Sequence, residues 1–232
     1  MKNDYVCTVE RGSLALVSSI DHDPVIGGVI RGDASREAYV GFLAATYHYL
    51  RWSGPLLSGA AEGLRRSGRC PWLLEVFDSK AEEESPHVRW VLDDLARCGG
   101  DVASVTAAPA PSAVNAYVHW SWAMAEEGSP AFLGAAYTLE FISMHRAKVA
   151  AENLRARRAI PNIEDAVSFL EGHGDADVGH IAALSDILRR IEDPRDQGAI
   201  VLSSEIMCAL YPRFFQPGPA SGALVRGPRG QA

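Results

Sequence analysis

The sequence of 232 residues lacks the features that mark exported, disulfide-stabilised or membrane-spanning proteins. Its four cysteines, at positions 7, 70, 98 and 208, form no Cys-x-x-Cys pair and do not resemble a disulfide framework. The first residues, MKNDYVCTVERG, include acidic side chains where a signal peptide needs apolar ones, and no run of eighteen apolar residues occurs. We therefore expect a cytoplasmic protein with reduced thiols and no membrane partner.

An excess of positive charge is also missing. Lys and Arg number 22 against 29 Asp and Glu, which gives a net charge of −7 at pH 7. A protein of this sign does not attract polyanions, so nucleic acid is not an expected partner. With 47% hydrophobic and 22% charged residues, the composition is that of a soluble globular protein that can bury a substantial core.

Strict alternation of apolar and polar residues, the pattern of strands, is scarce, whereas apolar residues recur at intervals of three and four. We therefore predict an all-α protein, a single helical bundle over residues 1–215. Glycines and prolines divide the pattern into predicted helices at about 35–50, 55–66, 72–84, 87–98, 114–126, 130–158, 163–171, 178–191 and 197–211. Residues 216–232 hold four glycines and three prolines, which predicts a disordered C-terminal tail.

The first candidate site is the segment from His173 to His180, which has the pattern His-x-x-x-Asp-x-x-His. On a helix, Asp177 lies about 40° and His180 about 20° from the direction of His173, so the three side chains share one face. Two imidazoles and a carboxylate arranged in this way are suited to one or two divalent metal ions. Alternatively, Asp175 or Asp177 caps a helix that starts near residue 178.

The second candidate site is the run Glu-Glu-Glu-Ser-Pro-His at residues 82–87. In an unbroken helix, Glu83 and Glu84 would both lie on the side of His87. Pro86 interrupts the helical hydrogen bonds, so helical phase alone does not decide which glutamate faces the histidine. The alternative is a solvated acidic surface with an exposed histidine.

The third candidate is Glu140, which lies inside a mostly apolar helical segment. A carboxylate in such surroundings needs a partner that stabilises its charge, and a buried metal ion is one such partner. An ion pair with Arg146 or Lys148 at the helix surface is the alternative. Together the three segments offer three imidazoles and three carboxylates, a donor set that favours non-heme iron or manganese over structural zinc.

These segments together resemble the heme-oxygenase-like diiron oxidases and oxygenases, which are relatives of the thiamin-degrading and quinone-cofactor synthesis folds. The resemblance covers most of residues 35–211. It rests on Glu-Glu-x-x-His at 83–87, Trp90 with the following Leu-Asp-Asp-Leu-Ala-Arg-Cys-Gly, Glu140, and the motif from His173 to His180. The spacings also agree, with 53 residues from His87 to Glu140 and 33 from Glu140 to His173. The chain departs from some members at the first carboxylate, which they place seven or more residues before their histidine, where this chain has Lys80. Other members use a three-residue spacing, which favours Glu84 over Glu83.

The resemblance implies a bundle of the heme-oxygenase-like type that holds two ferrous ions and uses O2 as co-substrate. The implied metal ligands are Glu84, His87, Glu140, His173, Asp177 and His180, with Glu83 as the alternative first ligand. The implied reaction is N-oxygenation or oxidative C–H or C–C cleavage of a small amine- or carboxylate-bearing metabolite, in specialised biosynthesis. We expect this small-molecule substrate, an external electron donor and a second copy of the chain, in a homodimer, as partners.

Three alternatives stay open. His48 lies in an aromatic helix where a heme oxygenase carries its axial histidine, so a heme-dependent member of the same fold is one of them. A metal-free member is the second, and a non-catalytic metal-binding helical module is the third. Tyr47, His48, Tyr137 and Phe141 are candidates for lining a substrate pocket, with ordinary core packing as their alternative.

Overall fold

The structure is a computed structural model that describes residues 4–216, apart from the side chains of residues 174–178 and 180. The prediction of an all-α protein is confirmed, since no strand occurs in this part of the chain. The helices described there are α1 Asp4–Ile20, α2 Ile26–Ile30, α3 Arg36–Leu50, α4 Ser53–Ser67, α5 Leu74–Glu84, α6 His87–Arg97, α7 Val102–Ala107, α8 Ser112–Glu126, α9 Phe132–Arg157, α10 Ser168–Arg189 and α11 Pro194–Phe214. Two turns of 3-10 helix lie at Pro71–Leu73 and Ile163–Asp165. Of the helices described, none combines the length and the apolar character that crossing a bilayer requires.

Helix α9 is the central element of the bundle and packs against α1, α2, α10 and α11. Its approach to α11 is close, because a Cβ atom on Gly134 would lie 2.0 Å from the carbonyl oxygen of Ile200. One turn further along α9, the Thr138 hydroxyl lies 2.9 Å from that of Ser204 and 3.2 Å from that of Ser13. These buried hydroxyl contacts join α9 to α11 and α1, and so fix the helix that carries Glu140.

The predicted division of residues 163–191 into two helices is wrong. A 3-10 turn is followed by the 22-residue α10, which runs without a break through three glycines. A glycine inside a helix costs about 1 kcal/mol relative to alanine, so a tertiary contact must offset the cost. Gly172 shows such a contact, because a Cβ there would lie 2.5 Å from the ring of Trp90. The continuous backbone also excludes the alternative that Asp175 or Asp177 caps a new helix.

Helix α1 is missing from the sequence-based prediction, although its buried residues recur at helical intervals. These residues are Val6, Val9, Ser13, Leu16, Val17 and Ile20. They pack against α9 and α11 and so complete the bundle around the central helix. The predicted tail, residues 216–232, lies outside the described residues from position 217 onward.

The close packing of α9 on α11 generates a stability prediction. Gly134→Ala is expected to lower the free energy of unfolding by about 2 kcal/mol, because the added methyl group forces the two helices apart. Urea unfolding followed by circular dichroism measures the change. Gly41→Ala in α3 is the matched control, since nothing lies within 4 Å of the added Cβ. This control is expected to gain about 0.5–1 kcal/mol from helix propensity, and equal effects of both substitutions would contradict the packing argument.

Candidate metal centre

The break between α5 and α6 places a carboxylate beside an imidazole. Helix α5 ends at Glu84 and α6 begins at His87, because Pro86 cannot continue the hydrogen bonds of the first helix. The Nδ1 atom of His87 consequently lies 3.2 Å from Oε2 of Glu84. Glu83 points elsewhere, and its Oε1 atom accepts a hydrogen bond of 3.2 Å from Nζ of Lys80. The geometry therefore makes Glu84, rather than Glu83, the neighbour of His87.

Helix α10 adds the second imidazole to this pair. The ring centroids of His87 and His173 are 4.3 Å apart, and Phe169 lies 4.5 Å from His173 on the same helix. Trp90 packs against both histidines, at 4.7 Å from His87 and 6.5 Å from His173. One ligand atom from each of Glu84, His87 and His173 lies within 4.8 Å of the other two. These three side chains form the candidate metal centre.

His173 is held in a form that can bind a metal ion. Its Nδ1 atom lies 3.1 Å from the carbonyl oxygen of Phe169 and donates to it, which leaves the lone pair of Nε2 free for a ligand bond. Burial lowers the pKa of His173, and the neighbouring His87 lowers it further, against the opposing effect of nearby carboxylates. The imidazole is therefore neutral at pH 7, as a metal ligand must be.

Asp94 connects the helices of the two histidines. It lies two turns after His87 on α6, and its side chain is fully buried. Its carboxylate accepts a hydrogen bond of 2.8 Å from the backbone N–H of Phe169 and one of 2.5 Å from the Ser168 hydroxyl, at the start of α10. Burial raises the pKa of Asp94, although these hydrogen bonds oppose the shift. The carboxylate thereby positions the first turn of α10, and His173 lies one turn further along the same helix.

Glu140 borders the same centre, but it is engaged by a cation of the chain itself. Its Oε1 atom lies 3.1 Å from Nζ of Lys80. Burial lowers the pKa of Lys80, yet the carboxylates of Glu140 and Glu83 outweigh this effect and raise it, so the side chain is an ammonium ion. The alternative of an ion pair between Glu140 and Arg146 is wrong. Arg146 instead forms an ion pair with Asp21, through two hydrogen bonds of 2.6 Å each.

The predicted ligands Asp177 and His180 lie outside the described side chains. The backbone of α10 is helical through both positions, which is the condition for the shared face expected from their spacing. Their role as ligands stays a prediction.

A narrow cavity of about 120 Å³ adjoins the centre. Its walls include Lys80, Glu84, Glu140 and His173, and most of the remaining wall is apolar. The apolar part includes Val76, Phe77, Leu139, Phe169, Leu170 and Leu184. The apolar part of the wall suits a small apolar group, and the ionisable side chains suit a polar one.

The four residues predicted to line a pocket are not part of this wall in the described chain. Tyr137 and Phe141 stack on each other with ring centroids 5.9 Å apart, and the ring of Tyr47 contacts that of His48 at 5.3 Å. Burial lowers the pKa of His48 to about 4, helped by the nearby charge of Arg51. Tyr137 and Phe141 are both buried, so they pack in the core, which was the alternative to a pocket-lining role.

The donor set at the centre fits an iron ion. Two imidazoles and one carboxylate are the ligands with which non-heme ferrous oxygenases hold iron while leaving positions open for O2 and substrate. Glu84, His87 and His173 supply this set from three helices, and none of the four cysteines of the chain is among these residues. Structural zinc sites favour thiolates and a closed tetrahedron, so this donor set is not that of a structural zinc site.

Residues 40–211 match the model of a protein family described as iron-containing redox enzymes. The chain belongs to this family. The matched segment begins in α3 and ends in α11, so it includes all three residues of the candidate metal centre and also Lys80, Asp94 and Glu140. Among curated protein sequences, none matches the chain significantly.

Solved structures confirm the heme-oxygenase-like fold that the sequence motifs implied for this member of the family. A domain of unknown function with that fold from Shewanella denitrificans has a TM-score of 0.77 at 20% identity, with 90% of each chain covered. A TenA homologue from Pseudomonas syringae has a TM-score of 0.70 at 13% identity, over 92% of this chain and 91% of the other. A TenA homologue from P. horikoshii also has a TM-score of 0.70, at 15% identity over 92% and 99% of the two chains. At such identities the likeness shows the fold alone.

The position of Asp94 generates a prediction on metal affinity. Asp94→Ala is expected to lower iron affinity roughly 10- to 100-fold and the free energy of unfolding by about 1–3 kcal/mol, because the first turn of α10 loses its buried acceptor. Equilibrium binding of ferrous ion and urea unfolding measure the two effects. Asp93→Ala is the matched control, since Asp93 makes an exposed ion pair with Arg89 on the same helix. Iron binding by Asp94→Ala at the affinity of this control would contradict the positioning role.

Proposed function

We propose that the protein is a non-heme iron oxidase or oxygenase that uses O2 to oxidise a small molecule. The observation that carries the proposal is the grouping of Glu84, His87 and His173 beside a mostly apolar cavity. A ferrous ion bound there supplies the electrons with which O2 is activated. The two iron ions implied by the family resemblance would additionally involve Asp177 and His180, which lie outside the described side chains.

The residues of the chain have three tasks in this reaction. Glu84, His87 and His173 bind and orient the iron ion. Trp90 packs against both imidazoles and fixes the direction of their rings. The apolar side chains of the cavity exclude bulk water, which protects a reactive oxidant from side reactions and strengthens electrostatic interactions inside the site.

The cavity wall indicates the chemical character of the substrate. A space of about 120 Å³ with apolar walls fits a short aliphatic chain or a single ring. The amine or carboxylate expected from the family resemblance would then lie at the polar part of the wall, near Lys80, Glu84 and Glu140. We therefore propose an amphiphilic metabolite that undergoes N-oxygenation or oxidative C–H or C–C cleavage, in specialised biosynthesis.

The thiols of the chain argue against a cysteine nucleophile as the basis of activity. Burial raises the pKa of Cys98 to about 11, and it also raises the pKa values of Cys70 and Cys208. A nucleophilic cysteine needs a lowered pKa, because the thiolate is the reactive form. None of these three thiols lines the described cavity.

The first prediction from the proposed function concerns iron. His87→Ala and His173→Ala are each expected to abolish tight iron binding and iron-dependent O2 consumption, because a two-ligand remnant holds ferrous ion weakly. Anaerobic loading with ferrous ion, removal of excess metal and an oxygen electrode measure both properties. His119→Ala is the matched control, since His119 is exposed on α8. Full O2 consumption by iron-free protein, or full iron binding by both variants, would contradict the proposal.

The second prediction concerns the cavity. Ala136 lines it one turn before Glu140 on α9, so Ala136→Leu narrows the space available to a substrate. We expect KM for the best substrate from a panel of n-alkyl amines and carboxylates to rise roughly tenfold, with iron content unchanged. Ala116→Leu on the exposed side of α8 is the control and is expected to leave KM as it is. An equal KM for both variants would place the substrate elsewhere.

A further inference from the structure

Lys80 places a positive charge at the centre that the family resemblance does not predict. It lies on α5, one turn before Glu84, and both residues line the cavity. Its side chain is only 20% exposed. The Nζ atom lies 3.1 Å from Oε1 of Glu140 and 3.2 Å from Oε1 of Glu83, so the ammonium bridges α5 and α9 at this point.

An ammonium in this position competes with a metal ion for the same carboxylate. Glu140 has a side chain that is only 12% exposed, so its charge needs a partner, and either cation can supply that partner. The ammonium has three N–H donors and no lone pair, so Lys80 cannot act as a ligand in this form. A divalent ion bound to Glu140 would lie within a few ångströms of Nζ, where repulsion between the two cations in a mostly apolar cavity is strong.

The two halves of the centre therefore differ in their fit to a metal ion. Glu84, His87 and His173 each offer one ligand atom within 4.8 Å of the other two, and together they fit one iron ion. The half that contains Glu140 already holds a cation of the chain, the ammonium of Lys80. Some members of the resembled group carry a carboxylate at this position. A second ion there would gain no ligand from position 80 and would meet the ammonium.

We infer that this chain binds a single iron ion, at Glu84, His87 and His173, and that the ammonium of Lys80 occupies the place of a second ion beside Glu140. The inference rests on the proposed function, because it concerns the same centre. It makes Lys80 a positioning residue that holds Glu140 in place and sets the number of metal ions.

The number of iron ions per chain tests this inference. The full-length protein is loaded anaerobically with excess ferrous ion, freed of unbound metal and measured by elemental analysis against protein concentration. We expect one ion per chain, and we expect the nitric oxide adduct to give the electron paramagnetic resonance signal of an isolated ferrous site. Lys80→Glu replaces the ammonium by a carboxylate and is expected to raise the count to two ions per chain.

Lys148→Glu is the matched control, because it makes the same change of charge at an exposed position on α9 and is expected to keep one ion per chain. Two coupled ions in the unmodified protein would overturn the inference and leave the proposed function standing, whereas no bound iron would overturn the proposed function itself. A folded Lys80→Glu variant that still binds one ion would overturn the role of Lys80. The count and spectrum of the unmodified protein decide the inference even if this variant fails to fold.

Discussion

The hydrogen bonds from the start of α10 to the buried carboxylate of Asp94 are the contacts on which the metal centre depends. His87 begins α6 and His173 lies on α10, and Asp94 on α6 holds the first turn of α10 through Ser168 and Phe169. The same turn then accepts the Nδ1 hydrogen of His173, at the carbonyl oxygen of Phe169. These contacts position the two imidazoles relative to each other and fix the nitrogen that His173 can offer, as hydrogen bonds to metal ligands do in other metal proteins.

Charge balance explains the rest of the centre. Glu84 and Glu140 are two carboxylates in a mostly apolar cavity, where uncompensated charge is costly. Lys80 compensates Glu140 from α5, and iron in the proposed function would compensate Glu84. The helix break at Pro86 makes both arrangements compatible, because it brings His87 beside Glu84, while Lys80, one turn earlier on α5, reaches Glu140 on α9.

Local patterns in the sequence predicted most of the helices, and they predicted the members of the centre that lie in recognisable motifs. Helix α9 and the positions of His87 and His173 followed from apolar periodicity and motif spacing. The break in α10 was predicted wrongly, because the contact that favours glycine at position 172 comes from Trp90 on another helix. The role of Asp94 depends on a contact with residue 169, some 75 positions away, and the role of Lys80 depends on a contact with residue 140. No local sequence pattern encodes such long-range contacts. Helix α1 did carry a local signal, in its regularly spaced apolar residues.

The proposed function requires that Glu84, His87 and His173 bind iron in this fold. X-ray absorption at the iron edge of the loaded protein tests it most directly, because imidazole rings scatter characteristically beyond the first shell and sulfur ligands lengthen the first shell. Iron bound by these three residues has a first shell of nitrogen and oxygen only, with the scattering of two imidazoles per iron ion. A shell that contains sulfur, or one without imidazole scattering, would contradict it.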